Sequence, residues 1–543
     1  MPTSATASVA LELASERRIA YDAYWAGVGA ITAAVAAFLV VQLRAWPPHE
    51  DETLALFVGR QPLGDLFDTV LGERGGAPLH FILTHLVALV SPGLTGLRLI
   101  SVFFAVASIP VVALLVSRLT DRRTALVTIL VMGTSWALLF HGIYGRMYSL
   151  FLFTSTLSFL LLLGALARGG RARWVAWALV MYATLATMPY GAMVLATQAA
   201  YVIARRIRRP FSLRAPLVAF VAVTLAAVPL WRTYLVLASR FDVGVGGGPS
   251  KLDTPYDVLA YVRSVIGDFS AGWNAAFAVA VAAAAVGLLT LVRSRPPAAL
   301  LATTVFAVPT LALILARLGN AAVPETRHLI FCLPFFAMLV AAGLQRVAQL
   351  ARSAGPTVFA LGLAALLSAQ IAWGWQKVPP LFTGEAAERS EARHAAAAWL
   401  AETSRPDDVL LGYNPLFLEA WEDGGSLGDI VVPRADAKLA LDTLLDLEEP
   451  LGRGVWVHDA TNNNVVRRYE IPEVAPPGDK DRFDVRAFGP FLVIRSKAPE
   501  RTAEAFLRDT VKVQLLGKEL GISDADINYP TALVALNRLE TRN

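Results

Sequence analysis

Acidic residues cluster beside a histidine early in the chain, in the segment His49-Glu50-Asp51-Glu52. The segment follows an apolar run by only a few residues. Three consecutive carboxylates next to an imidazole can act as a general base toward a hydroxyl group, or can hold a divalent cation such as Mg²⁺ or Mn²⁺. A solvated acidic loop is the alternative explanation of the same charges.

Two later segments place arginine at the edge of an apolar run. Residues 141–149 include Arg146, and residues 324–328 include Arg327 followed directly by His328. A guanidinium fork has the shape to bind a lipid phosphate through two hydrogen bonds. For each arginine taken alone, an anchor of the helix at the membrane interface is the favoured explanation.

Other polar residues near these segments have weaker patterns. Arg98 begins an apolar run, where an interfacial cap is the alternative to substrate binding. His80 and His85 are five residues apart, which argues against a helical two-histidine metal site. A glycine-rich stretch, residues 244–249, does not open a helix after a strand, so a mobile flap fits it better than a nucleotide-binding loop.

The composition shows what must position these residues. Of the 543 residues, 55% are hydrophobic and only 17% are charged, and the mean hydropathy is +0.52. A soluble chain carries about 25% charged residues, so we expect a polytopic membrane protein. Eleven apolar runs have the length of a spanning helix: 23–43, 97–117, 124–141, 148–167, 174–188, 190–204, 213–237, 273–292, 298–316, 329–345 and 356–375.

The basic residues predict the direction of insertion. If the N-terminus is cytoplasmic and the short apolar run 78–90 does not span, the cytoplasmic loops hold 17 of the 28 Lys and Arg residues found up to residue 375. This satisfies the positive-inside rule at every such loop. We therefore expect a multi-pass protein of the inner (plasma) membrane whose acidic segment and C-terminus are extracytoplasmic.

The chain divides into two parts by charge. Residues 1–375 carry 28 basic and 15 acidic residues, and residues 376–543 carry 20 and 28. The second part has an ordinary soluble composition and alternates helix-like with strand-like stretches, so it predicts an extracytoplasmic α/β domain. The basic excess lies in loops between apolar runs, and the sequence pI of about 9.3 therefore does not indicate nucleic-acid binding.

Five short segments occur in an order and spacing that is familiar. The chain resembles the GT-C membrane glycosyltransferases, in particular the family 39-like bacterial relatives of protein O-mannosyltransferases and lipid A aminoarabinose transferases. The resemblance covers about residues 20–375. Its segments are Asp51-Glu52, Pro78-Leu79-His80, Leu97-Arg98, Gly145-Arg146-Met147-Tyr148 and Glu325-Thr326-Arg327-His328.

The resemblance implies an activity and roles for residues. Such enzymes transfer a sugar, usually with inversion, from a polyprenyl-phosphate donor to an acceptor outside the cytoplasm. The acceptor here would be an envelope glycan, glycolipid or protein, and the enzyme a hexosyl- or pentosyltransferase. By this analogy Asp51 and Glu52 are catalytic, and Arg327, Arg146 and His328 bind the lipid phosphate. The substrate-binding candidates are His49, Arg74, His80, Arg98 and Tyr148.

The chain also departs from the family pattern. Relatives commonly carry an acidic residue shortly before the second-loop arginine, where this sequence has Tyr144. The divalent cation is therefore an open question, with Asp51, Glu52 and His49 as its candidate ligands. A lipid or sugar transporter with an extracytoplasmic domain is the alternative function, and a membrane scaffold is the third.

Overall fold

A computed structural model describes residues 4–208, 210–241, 252, 254–318, 324–378, 387–424, 430–460, 470–477 and 481–542, with side chains from residue 21 onward except at 239–241, 316–318 and 387–388. The glycine-rich stretch 244–249 lies outside these residues. Helices fill the first part of the chain, which ends in a long helix at Lys377.

The α-helices of the first part are α1 (Ser4–Val41), α2 (Glu50–Arg60), α3 (Leu63–Phe67), α4 (Leu79–Ala88), α5 (Leu94–Leu119), α6 (Arg122–Gly133), α7 (Trp136–Ile143), α8 (Tyr148–Arg168), α9 (Arg171–Thr187), α10 (Gly191–Arg208), α11 (Arg214–Ala226), α12 (Val228–Phe241), α13 (Pro255–Phe269), α14 (Asn274–Ser294), α15 (Pro296–Leu318), α16 (Leu333–Leu350) and α17 (Gly355–Lys377). A π-helical turn covers Asp68–Glu73, and 3₁₀ turns cover Thr326–Cys332 and Arg352–Ala354.

Among the described residues, seven helices are long and apolar enough to cross a membrane, or nine if each of two bent pairs forms one span. The predicted run 124–141 is bent by 60° between α6 and α7, where the Ser135 hydroxyl bonds the Met132 carbonyl. The predicted run 213–237 is bent by 54° between α11 and α12, next to Pro229, which lacks a backbone N–H group.

The remaining two predicted spans, 174–188 and 190–204, are the helices α9 and α10. Neither is among the helices that are long and apolar enough to cross a membrane, so the expected total of eleven spans stays a prediction. The short run 78–90 forms α4, whose ten residues extend only about 15 Å. That length is too short to cross the hydrocarbon core, in agreement with the sequence interpretation.

The spanning helices pack around one continuous apolar core. The closest approach joins α14 to α16, where a side chain at Gly287 would meet the Leu339 carbonyl oxygen at 1.9 Å. A side chain at Gly343 would meet the Ala283 carbonyl oxygen at the same distance. Small residues permit this contact, as they commonly do between membrane helices.

The second part of the chain contains a five-stranded mixed sheet in the order β2-β1-β3-β5-β4. Strands β1, β2 and β3 are parallel, whereas β5 pairs antiparallel with β3 and β4. The elements are α18 (Ala387–Thr403), β1 (Val409–Leu411), α19 (Pro415–Glu422), β2 (Val431–Val432), α20 (Ala437–Leu445), β3 (Gly454–Asp459), β4 (Phe483–Phe488), β5 (Phe491–Ser496), α21 (Ala503–Glu519) and α22 (Ala525–Arg542).

The sheet has an apolar core on each face, and one of them includes a residue of the first part. Phe57 of α2 packs in the cluster that contains Leu416 and Phe417 of α19. Glu50, at the start of α2, accepts hydrogen bonds from Arg434, which follows β2. The sheet therefore lies against the same end of the helix bundle as α2.

Candidate functional site

The acidic segment forms the first turn of α2 rather than a loop. His49 caps the helix, because its Nδ1 atom accepts a hydrogen bond from the Asp51 amide at 3.0 Å. Glu52 completes the cap by accepting from the His49 amide at 3.1 Å. The three carboxylates thus lie at the positive end of the helix dipole, which stabilises negative charge.

Glu52 is fully buried and bound to Arg98. Arg98 donates from Nε to Oε1 at 2.8 Å and from Nη2 to Oε2 at 2.7 Å, and Gly145 donates its amide to Oε1 at 2.7 Å. The other Arg98 protons go to the carbonyl groups of Leu43, Trp46 and Pro47. A catalytic role for Glu52 and a substrate-binding role for Arg98 do not fit this geometry, since both groups are enclosed and paired.

Asp51, one residue earlier, stays 30% exposed. Its Oδ2 atom accepts a hydrogen bond from the Tyr144 hydroxyl at 2.8 Å, and the Arg146 Nη2 atom lies 3.9 Å from Oδ1. Burial raises the pKa of Asp51, but the charges of Arg146 and Arg327 outweigh it and hold the pKa well below its ordinary value. Asp51 is therefore an ionised carboxylate that can accept a proton.

Tyr144 holds this carboxylate in place. Burial, and then the negative charge of Asp51, raise the pKa of Tyr144 well above its ordinary value. The hydroxyl therefore stays protonated and donates a hydrogen bond to Asp51. The residue that departs from the family pattern thus supplies a hydrogen-bond donor where an acidic side chain was expected. Arg146 fixes the same turn from the other side by donating from Nη1 to the Asp51 carbonyl at 3.0 Å.

Arg327 approaches the site from the 3₁₀ turn before α16. Its guanidinium group lies over the Tyr148 ring at 5.5 Å and donates to Glu325 at 2.8 Å. Its Nε atom is buried without a hydrogen-bond partner in the described part of the chain, and so is the Nε atom of Arg146. Buried hydrogen-bond donors normally have an acceptor. An anionic ligand would supply the missing acceptor to both Nε atoms.

Not all predicted phosphate ligands share this geometry. His328 accepts a hydrogen bond at Nδ1 from the Glu325 amide at 3.0 Å. Its ring also stacks on Tyr190 with a centroid distance of 4.3 Å. The geometry favours a role for His328 in holding the turn that presents Arg327, in place of the predicted phosphate contact.

Two predicted substrate-binding residues lie apart from Asp51. Arg74 lies over the Tyr413 ring at 5.9 Å, against the second part of the chain. His80 is fully buried, and the charge of Arg146 acts on its ring. Burial lowers the pKa of His80 to about 3, so its ring is neutral. Neither residue lines the cavity at the site.

A cavity of about 160 Å³ is lined by His49 and Tyr144, which both contact Asp51, and by residues that the sequence did not single out. Asp268 forms an ion pair with Lys377 and accepts a hydrogen bond from Thr326. The Lys377 ammonium also lies 4.0 Å from the Trp136 ring centre. The cavity is lined by Trp46, His49, Trp136, Phe140, His141, Tyr144, Asp268, Glu325, Thr326, Arg327 and Lys377.

A larger apolar cavity of about 480 Å³ adjoins the Arg327 turn. It lies between α13, α14, α15 and α16, and both Pro324 and Leu329 line it. The Tyr261 hydroxyl donates to the Pro324 carbonyl at 2.7 Å and thereby ties α13 to the turn. The polar cavity and the apolar cavity thus adjoin the same turn, residues 324–329, which carries Arg327.

The predicted metal ligands do not fit a metal ion as a set. Glu52 gives both oxygens to Arg98, and the His49 Nδ1 atom accepts from the Asp51 amide with the Tyr144 hydroxyl 3.0 Å away. In the part of the chain that the structure describes, no three His, Cys, Asp or Glu side chains are grouped to hold a metal ion.

Comparison with known proteins shows the fold. ArnT from Cupriavidus metallidurans in the apo state matches with a TM-score of 0.55 and 14% identity, over 86% of this chain and 97% of ArnT. ArnT bound to undecaprenyl phosphate matches with a TM-score of 0.50 and 14% identity, over the same shares of the two chains. An oligosaccharyltransferase from Archaeoglobus fulgidus matches with a TM-score of 0.51 and 12% identity, over 79% of this chain and 69% of that enzyme.

No protein-family model and no curated protein matches the sequence. The structural matches show that the chain has the GT-C glycosyltransferase fold, as the sequence segments predicted. The match to ArnT covers more of the chain than residues 20–375, so the similarity extends into the second part.

Proposed function

We propose that this protein is an inverting glycosyltransferase that moves a sugar from a polyprenyl-phosphate donor to a hydroxyl group of a cell-envelope acceptor. The observation that carries the proposal is an ionised, partly exposed Asp51 that lies in the positive field of two arginines, Arg146 and Arg327, whose Nε atoms are buried without acceptors among the described residues. One group suits proton removal, and the other two suit an anionic leaving group.

Arg327 and Arg146 would hold the donor phosphate. When the bond between the sugar C1 and the phosphate oxygen breaks, its electron pair stays on that oxygen, and the two guanidinium groups stabilise the added charge. The apolar cavity beside Arg327 would receive the start of the prenyl chain. The solved complex of ArnT with undecaprenyl phosphate supports this class of donor.

Asp51 would act on the acceptor. Its carboxylate takes the proton of the acceptor hydroxyl while the hydroxyl oxygen attacks C1 from the face opposite the phosphate, which inverts the sugar configuration. The bound phosphate would also neutralise part of the positive field of Arg146 and Arg327. The basicity of Asp51 would therefore rise when the donor is in place.

We also propose that the acceptor binds between the helix bundle and the second part of the chain. Arg434 donates to both oxygens of Glu50, with Nε at 3.1 Å from each, and Glu50 directly precedes Asp51 on α2. The domain of residues 376–543 is thus attached to the turn that carries the base. The site end of the bundle and this domain would face the extracytoplasmic side of the inner membrane, with the N-terminus cytoplasmic.

The test is donor turnover by the purified full-length chain in lipid. A panel of polyprenyl-phosphate hexoses and pentoses would be incubated with the wild type, with Asp51→Asn and with Asp65→Asn. Asp65 is an exposed carboxylate on the next helix, α3, and serves as the matched control. We expect wild type and Asp65→Asn to release polyprenyl phosphate, and Asp51→Asn to lose about 10²–10⁴-fold in rate.

The same panel distinguishes the alternatives. Normal turnover by folded Asp51→Asn would remove the role given to Asp51. Movement of a lipid or sugar across vesicles without a covalent product would favour the transporter. Turnover that stops in EDTA and returns with Mg²⁺ or Mn²⁺ would show that a cation takes part.

A further inference from the structure

A second polar cavity lies at the other end of the bundle from Asp51. It has a volume of about 500 Å³, and four arginines line it: Arg118, Arg168, Arg205 and Arg295. They come from the ends of α5, α8 and α10 and from the link between α14 and α15. Four separate parts of the chain therefore contribute one positive charge each to the same cavity.

The lengths of the helices fix where this cavity lies. On α5, Arg98 contacts Glu52 at the site, and Arg118 is 20 residues further along the same helix. On α8, Tyr148 lies beneath Arg327, and Arg168 is also 20 residues away. Twenty helical residues span about 30 Å, which is the thickness of the hydrocarbon core. The cavity therefore lies at the opposite membrane surface.

The four guanidinium groups have no carboxylate partner in the described part of the chain. Among the residues that the structure describes, none of the four forms an ion pair with a carboxylate. The neighbouring acid Asp121 is instead occupied as the cap of α6, where it accepts from the Thr124 amide and hydroxyl. Arg118, Arg168 and Arg295 are exposed, so an anion can reach them, and a bound anion would relieve the repulsion between the like charges.

We propose that this cavity binds a phosphate group, and that the phosphate belongs to an anionic phospholipid of that membrane surface. Basic cavities between membrane helices commonly bind anionic headgroups. The backbone of α15 supplies no competing anion site, because Pro296 and Pro297 lack N–H groups and the Ala298 amide already bonds the Arg295 carbonyl. The arginine side chains are thus the donors.

The surroundings favour a lipid over a soluble phosphate compound. Part of the cavity wall is apolar, because Ala167 and Ala298 line it together with the arginines. Leu119 and Leu163 line the cavity itself. A phospholipid would place its phosphate among the arginines and its acyl chains along this apolar surface, which a soluble anion would leave uncovered.

The test measures lipid binding by the full-length chain in detergent by native mass spectrometry. The probes are phosphatidylglycerol, phosphatidylcholine of the same acyl chains, and inorganic phosphate. We expect the wild type to retain phosphatidylglycerol about tenfold more tightly than phosphatidylcholine, and Arg168→Gln/Arg205→Gln to lose that preference. Arg206→Gln, on the same helix but outside the cavity, serves as the matched control and should keep it.

The outcomes separate the two sources of phosphate. If inorganic phosphate binds and displaces phosphatidylglycerol, the phosphate site stands, but its ligand is soluble and the lipid assignment falls. Equal retention of the two lipids by the wild type, without binding of inorganic phosphate, would overturn the whole proposal. That comparison of the two lipids needs no variant. If the double variant fails to fold, Arg205→Lys takes its place; this variant keeps the charge and should retain the preference for phosphatidylglycerol.

Discussion

The two ends of the helix bundle hold their arginines in different surroundings. At the site end, Arg98 is enclosed and forms two hydrogen bonds with Glu52, whereas Arg146 and Arg327 are only partly matched. At the opposite end, none of the four cavity arginines is paired with a carboxylate in the described residues. Charges that are matched within the chain fix its geometry, and charges left unmatched are available to a ligand.

The same distinction separates two neighbours in the sequence. Glu52 is 0% exposed and fully paired, but Asp51 is 30% exposed and keeps room for a proton. The helix start at His49 leaves the Asp51 carboxylate partly exposed and encloses the next carboxylate, Glu52, against Arg98. Adjacent acidic residues therefore have different roles, and substitutions can test this comparison.

The largest expected effect follows from Glu52→Gln. This change leaves the buried Arg98 charge without its partner, which costs about 3–5 kcal/mol of stability. A fall in the unfolding midpoint of the purified protein would show this loss. Glu73→Gln, at the exposed end of the π-helical turn Asp68–Glu73, is the control. If Glu52→Gln kept its stability and lost only turnover, Glu52 would be catalytic and the comparison with Asp51 would fail.

Arg327→Gln should have the next largest effect. Loss of one guanidinium group from the developing phosphate charge is expected to lower kcat by about 10²–10³-fold. Steady-state release of polyprenyl phosphate measures it. Arg346→Gln, at the far and exposed end of α16, should leave turnover unchanged. An unchanged kcat in Arg327→Gln would mean that Arg327 is as fully matched as Arg98.

Arg434→Gln tests the contact between the second part and the site. Loss of the bonds to Glu50 frees the first turn of α2, and we expect a fall in kcat of about tenfold. The charge exchange Glu50→Arg with Arg434→Glu should restore part of the loss. Arg486→Gln, exposed on the same sheet, is the control. No change in Arg434→Gln would show that Asp51 is positioned by the bundle alone.

The smallest expected effect is a shift with pH. Because the arginines hold the pKa of Asp51 low in the free enzyme, kcat/KM should show no loss from Asp51 protonation between about pH 8 and about pH 5. Bound phosphate should raise that pKa, so the acidic limb of kcat should lie at a higher pH than that of kcat/KM. Coincident limbs would indicate that the phosphate does not approach Asp51.

Residue types and spacing predicted part of the site. Asp51, Arg146 and Arg327 were identified from their positions at the ends of apolar runs, and the structure places Arg146 3.9 Å from Asp51 and Arg327 near enough for its charge to lower the pKa of Asp51. Lys377 and Asp268 were missed as a pair because 109 residues separate them. A lysine just after the last apolar run was the only available signal, and many such lysines are interfacial anchors.

The sequence by itself determined that the chain is a helical membrane protein with polar segments at the helix ends. Apolar length and charge distribution are local properties, and the bilayer imposes them directly on the sequence. Only the tertiary structure decided which of two adjacent carboxylates is buried, which arginines keep a free donor and which four arginines share a cavity. Those outcomes depend on helices distant in the chain packing side by side, and burial and hydrogen bonding are properties of that packing.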